Sequence, residues 1–155
     1  MKLSTRGRYA VMAMVDLARH SNGQPVSLAE IAEREEISLS YLEQLFAKLR
    51  RSGLVKSVRG PGGGYLLAHD RDETPIADII AAVDEPIHAV RCAPGDAIGC
   101  RSDRSRCLTH DLWEELSNQI RFYLRSVSLG DVCEKRVLGA SGVPQREGYR
   151  AVEPR

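Results

Sequence analysis

Aromatic side chains are scarce in this 155-residue chain: two Phe, one Trp and five Tyr. The core must therefore be built mostly from aliphatic residues. No apolar run approaches the length of a membrane span. The N-terminus lacks the apolar stretch of a secretory signal, so the expected compartment is the cytoplasm, where thiols stay reduced. Patterns that carry enzyme chemistry are missing too. There is no carboxylate pair, no nucleophile–base constellation, and no Gly-Lys-Ser/Thr after the glycine run at 60–64. Neither an enzyme nor a nucleotide-binding P-loop is expected. The Cys-x2–4-Cys knuckles usual in structural zinc sites do not occur, and there is no internal repeat.

A net charge of +1 is also a near-absence, and it hides an asymmetry. Residues 1–60 carry ten Lys/Arg against six Asp/Glu, and residues 61–90 carry one against six. The remaining stretch, 91–155, carries eleven against nine. A basic head masked by an acidic middle can still attract phosphates.

That head has a readable pattern. Residues 8–20 place Val11, Met14, Val15 and Ala18 at helical spacing and predict a buried first helix. Ser27 to Glu30 and Ser40 to Glu43 each have the form of a capping box opening a short helix. The second helix carries an apolar stripe of Leu42, Leu45, Phe46 and Leu49, and Gly53 ends it. Two capped helices joined by a tight turn are the sequence form of a helix-turn-helix. The second would be the recognition helix, offering Ser40, Glu43, Gln44, Lys48 and Arg51 to solvent. Residues 54–59 and 65–68 read as two strands around Gly60-Pro61-Gly62-Gly63-Gly64, which makes the unit a winged helix. Arg59 falls at the wing tip, where a guanidinium can enter a minor groove. Thr74 and Pro75 are expected to open a further helix as N-cap and first helical residue.

Beyond the head lie three cysteines and a histidine, Cys92, Cys100, Cys107 and His110, spaced Cys-x7-Cys-x6-Cys-x2-His. So dense a set of soft ligands in a reduced chain argues for a metal or iron–sulfur site rather than disulfides. Cys107 and His110, three residues apart near a helix start, can face one centre, while Cys92 and Cys100 lie on the loop. Three thiolates and one imidazole suit a [2Fe–2S] cluster. Cys3His zinc and redox-active thiols without metal remain open. Cys133 stands apart and reads as a free thiol. From about Leu108 to Val127 the longest helix presents a broad apolar band of Leu112, Trp113, Leu116, Ile120, Tyr123, Leu124 and Val127. Pairing with a second copy is the economical way to cover it.

The expected fold is thus mainly α with a small β-wing. A winged helix-turn-helix DNA-binding domain spans 1–85, a ligand loop 86–107, a dimerisation helix 108–130 and a disordered tail 131–155.

Four runs also resemble a known family: Leu3–Val11 (LSTRGRYAV), Ile37–Phe46 (ISLSYLEQLF), Val58–Leu67 (VRGPGGGYLL) and Arg106–Trp113 (RCLTHDLW). They are similar to the IscR branch of iron–sulfur cluster regulators, within the wider family of winged-helix cluster-sensing repressors. The resemblance implies a cytoplasmic homodimer that binds double-stranded DNA at palindromic promoter sites and represses cluster-assembly genes. It implies a [2Fe–2S] cluster on Cys92, Cys100, Cys107 and His110, and DNA reading by Ser40, Tyr41, Glu43, Gln44 and Arg59. Glu43 would act as a selectivity filter that disfavours one class of site until the cluster is bound. Iron-responsive relatives with a different cluster are the alternative within the same family.

Overall fold

The computed structural model describes residues 4–85, 87–89 and 99–137. The first helix, α1, runs Thr5–His20 and is capped by Ser4, whose hydroxyl accepts from the Arg6 N–H. Its buried seam is Ala10, Ala13, Met14 and Leu17. This is one step round from the expected stripe: Met14 is shared, while Val11, Val15 and Ala18 pack half-buried at its edge. The shift has a polar cause. Asp16 is buried on the same face and accepts two hydrogen bonds from Arg34, from Nε at 2.9 Å and Nη2 at 2.7 Å. A buried carboxylate is tolerable only with such a partner.

Helix α2 (Leu28–Glu35) opens with the expected capping box. Glu30 N–H donates to the Ser27 hydroxyl at 3.3 Å, and Ser27 N–H donates to the Glu30 carboxylate at 2.9 Å. The Ser27 N–H and hydroxyl hold that carboxyl below its ordinary range. Glu36 then turns left-handed at φ 53° and Ile37 is buried. Helix α3 follows at Leu39–Arg51. Its cap is Ser38 rather than Ser40: the Ser38 hydroxyl accepts from the Tyr41 N–H at 3.3 Å. With Ile37 anchored in the core, Ser38 is the position left extended, so its side chain reaches the free N–H three residues on. Ser40 therefore lies inside the first turn and Glu43 has no capping duty. The stripe Leu42, Leu45, Phe46 and Leu49 is fully buried as expected.

Strands β1 (Val55–Val58) and β2 (Gly64–Leu67) form the antiparallel wing, with Val55 opposite Leu67 and Val58 opposite Gly64. Gly60 and Gly62 take φ of 103° and 70° in the connecting loop, a region open to glycine at little cost. Gly64 is needed for another reason: a Cβ there would stand 2.3 Å from the Val26 carbonyl oxygen. That close approach lets Val26 and Tyr65 exchange backbone hydrogen bonds, pinning the wing to the chain before α2. The Tyr65 ring packs edge-on against Phe46, with centroids 4.9 Å apart.

Helix α4 spans Ile76–Ala82, α5 His110–Ser126 and α6 Leu129–Cys133. The expected Thr74 cap is not formed. Pro75 holds the cap position, and the buried Thr74 hydroxyl donates to the Asp70 carbonyl at 2.9 Å. The reason lies 50 residues downstream: Ile76 N–H donates to Val127 O at 2.9 Å and Leu129 N–H to Thr74 O at 2.8 Å. This pairing keeps Thr74 and Pro75 extended.

The same pairing revises the expected boundaries. The long helix stops at Ser126, because Val127 and Ser128 are drawn into the pairing, rather than continuing to 130. Residues 131–133, expected in the tail, belong to α6, whose Ser128–Asp131 capping box opens it. Leu129 is fully buried in the head's core, and Val132 and Cys133 pack against it. The core of the head is thus closed by α6. The expected tail beyond 137 lies outside the described residues.

Candidate DNA-reading face and thiol–imidazole site

Helix α3 turns its polar side outward. Ser40, Glu43, Gln44 and Arg51 are exposed. Tyr41 is half-buried, its ring edge-on to Tyr9 at 6.0 Å. Lys48 is not a free solvent-face cation: its ammonium lies 2.8 Å from the Asp84 carboxylate. Arg59 follows β1 and is exposed at the wing tip, where the sequence pattern put it. Asp84, which the residue pattern did not single out, takes φ 55° just after α4.

The thiol–imidazole site is assembled on the first turns of α5. His110 is the first residue of that helix and is 5% exposed. Its N–H donates to the Cys107 carbonyl at 3.0 Å, which fixes the Cys107–His110 turn. Imidazole Nδ1 lies 3.0 Å from Cys100 Sγ, and Nε2 lies 3.7 Å from the Glu114 carboxylate one turn on. Cys100 arrives by a folded-back turn. Gly99 N–H donates to Arg104 O at 3.0 Å and Arg101 N–H to Ser105 O at 3.2 Å. A Cβ on Gly99 would meet Ser105 O at 2.2 Å, so this turn requires glycine. Asp103 braces it by accepting from the Ser105 N–H and hydroxyl, which keep its carboxyl below the ordinary range.

The other end of the ligand segment is tied to the same helix. Ala89 N–H donates at 2.8 Å to the hydroxyl of Ser117, a buried residue of α5. Both ends of the stretch that carries Cys92 are therefore held by α5, while Cys92 itself lies outside the described residues.

The structure thus brings Cys100 and His110 into contact and sets Cys107 beside them through the backbone. Cys107 is partly buried, with Sγ 3.5 Å from the Thr109 hydroxyl. Among the described residues, the group of three with ligand atoms within 4.8 Å of one another is His110, Asp111 and Glu114, not the thiol set. Glu114 and Ser117 were not flagged by residue pattern. A carboxylate or hydroxyl one or two turns from a ligand carries no signal until the helix phase is known. Cys133 is remote from this site, half-buried near Val15, and burial pushes its thiol up. No helix among the described residues is long and apolar enough to cross a membrane.

A capped helix pair with a two-stranded wing, carrying a thiol–imidazole site on an appended helix, defines a winged-helix DNA-binding regulator. The sequence profile of the Rrf2 family, described as iron-dependent transcriptional regulators, matches residues 3–135. The regulator IscR of Photorhabdus laumondii is 52% identical over 152 residues, covering 97% of this chain and 91% of that protein. IscR of Vibrio campbellii is 55% identical over 133 residues, or 85% and 77% of the two chains. Among solved structures, T. potens IscR superposes with TM-score 0.70 at 39% identity, covering 87% and 88%. CymR, the global cysteine regulator of B. subtilis, superposes with TM-score 0.71 at 34% identity, covering 87% and 98%. The chain belongs to the Rrf2 family and is a transcriptional regulator of the IscR type, not an enzyme.

Proposed function

We propose that this regulator represses iron–sulfur cluster assembly genes and that a [2Fe–2S] cluster controls which operators it occupies. The observation that carries the reading is the Cys100 Sγ to His110 Nδ1 approach of 3.0 Å. A thiol and an imidazole nitrogen that close, on a buried histidine with a second thiol three residues before it, form the donor chemistry such a cluster takes. Cys92, Cys100, Cys107 and His110 would hold it, and it would supply one-electron redox chemistry and a visible chromophore. A single imidazole ligand, neutral and open to protonation, makes a site easier to strip than four thiolates, as a sensor requires.

Each remaining part of the reading has its residue. On a palindromic site, α3 of each protomer enters a major groove, where Ser40 and Gln44 reach base edges. Tyr41 and Lys48 flank them, and Arg59 enters the adjacent minor groove. Glu43, relieved of capping by Ser38, is available as the filter against one operator class. The exposed Leu112, Trp113, Phe122 and Tyr123 of α5 favour a homodimer formed along that helix.

Anaerobic purification with iron and acid-labile sulfide assays tests the core of this. The expected protein is reddish-brown, and His110→Ala reshapes or bleaches its spectrum. Material that holds neither iron nor sulfide, and whose operator binding ignores their addition, rules the reading out. For Glu43→Ala the expectation is an apoprotein that footprints on sites otherwise reserved for the holo form. A second reading, a colourless thiol switch on the same cysteines, draws on the likeness to the CymR structures, of which that of Staphylococcus aureus CymR is solved in an oxidised form. The same colour assay separates the two.

A further inference from the structure

We propose that Asp84 sets the affinity of this regulator for DNA by occupying Lys48, so that the lysine reaches a phosphate only when the carboxylate gives it up. The inference rests on reading α3 as the recognition helix. It needs no cluster.

Lys48 lies one helical turn beyond Gln44 on α3, and its ammonium is 2.8 Å from Asp84 Oδ2. Around Asp84 the cations are Lys48 first, then Arg6 and Arg51, which together hold its carboxyl below the ordinary range. Lys48 and Arg6 both bond to Asp84, and the charge of Arg51 on α3 also acts on it; cations gathered beside a recognition helix are what a DNA phosphate would otherwise take. The carboxylate stands in that place.

Asp84 is not a loose surface partner. Before it, Val83 is fully buried. After it, Glu85 accepts from the Ser4 N–H at 2.9 Å and from the Ser4 hydroxyl. The Asp84 carbonyl accepts from Arg6 Nη1 at 3.3 Å. The backbone is thus held on both sides, in a left-handed conformation at φ 55°, and the carboxylate is aimed at Lys48. Yet the Asp84 side chain is 74% exposed. A pair so open to water adds little to folding stability. In the field of a DNA backbone the same charge acts on binding, because a phosphate must compete with it for the lysine.

Fluorescence anisotropy of the full-length chain on labelled double-stranded DNA of random sequence, across a salt titration, tests this. Random sequence isolates phosphate contacts from base reading. Asp84→Asn is expected to bind roughly two- to fivefold tighter, the scale of an exposed pair. Its plot of log affinity against log salt should steepen by about 0.9 per head, one phosphate contact. Glu73→Gln, which removes the same charge from the turn before α4, should gain less. Adding Lys48→Met to Asp84→Asn should erase the gain.

A gain that survives in the double variant reduces the effect to net charge and overturns the proposal. Equal or weaker binding by Asp84→Asn with a lowered melting temperature overturns it too, and makes the pair a structural brace. The underlying reading fails differently: Lys48→Met, Arg51→Met and Asp84→Asn would then all bind as wild type. Loss in Arg51→Met with no change in Asp84→Asn overturns the Asp84 role alone.

Discussion

The head over residues 4–85 supplies sixteen of the eighteen apolar side chains buried among the described residues, whereas α5, the longest described helix, buries only His110 and Ser117. The contrast separates two kinds of stability. In the head, α1, α3 and α4 meet over Met14, Leu17, Phe46, Ile79 and Ile80, and the fold follows from the chain's own aliphatic residues. On α5 the buried groups are polar and work as grips: His110 meets Cys100, and Ser117 holds Ala89. Leu112, Trp113, Phe122 and Tyr123 face out, with Phe122 at 68% and Leu112 at 61% exposure. A helix built this way leaves much apolar surface uncovered among the described residues, while His110 and Ser117 hold the cysteine-bearing segment on its inner side.

Four substitutions test that contrast, in falling order of effect. Phe46→Ala should cost about 3–5 kcal/mol in urea unfolding, because the ring fills the centre of the head and abuts Tyr65. A loss below about 1 kcal/mol would mean the core does not rest on this residue. Arg34→Met leaves the Asp16 carboxylate buried without its bidentate partner. With Arg34 itself one-third exposed, the expected cost is about 2 kcal/mol. The double change with Asp16→Leu should recover most of it, and a cost that persists undiminished would point to some other defect.

Phe122→Glu should leave the head's unfolding within about 0.5 kcal/mol of wild type while shifting sedimentation from dimer to monomer at micromolar concentration. An unchanged dimer would remove the outer face of α5 from the proposed seam.

The smallest effect is expected at Asp131. The Ser128 N–H, then Arg136, keep its carboxyl below the ordinary value. The folded state therefore takes up that proton less readily than the unfolded chain. The stabilisation is present above the unfolded value, near pH 4, and fades as pH falls through the lowered folded value. Asp131→Asn should lower the melting temperature by about 1–2 °C at pH 6, with the difference closing toward pH 2. A difference that stays constant with pH would assign the effect to α6 packing rather than to the charge.

Much of the head is legible in the sequence. The stripe Leu42, Leu45, Phe46 and Leu49, the Ser27 capping box and the glycine-rich wing are local patterns, set by helix period and by the few residues a turn accepts. Where reading by pattern slipped, burial or a distant partner intervened. Ser40 looks like a cap, but buried Ile37 moves the start of α3 to Ser38. Thr74 looks like a cap, but Val127 and Leu129 pair with its neighbourhood and hold it extended. The stripe of α1 rotates because Asp16 must face Arg34. At the candidate site, the ligand types were visible as cysteines and a histidine at close spacing. Glu114, Ser117 and Asp84 were not, since each matters only through what it faces.

By itself, the sequence determined the winged head, the buried apolar stripe of α3 and the presence of thiols and an imidazole spaced closely enough to form one site. These depend on contacts within a few turns of chain, where periodicity and capping chemistry act. Only the tertiary structure decided that α6 returns to close the head, that Cys100 folds back onto His110, and that Lys48 is met by Asp84. Those outcomes come from groups tens of residues apart competing for burial and for hydrogen-bond partners, and short-range pattern does not record who wins.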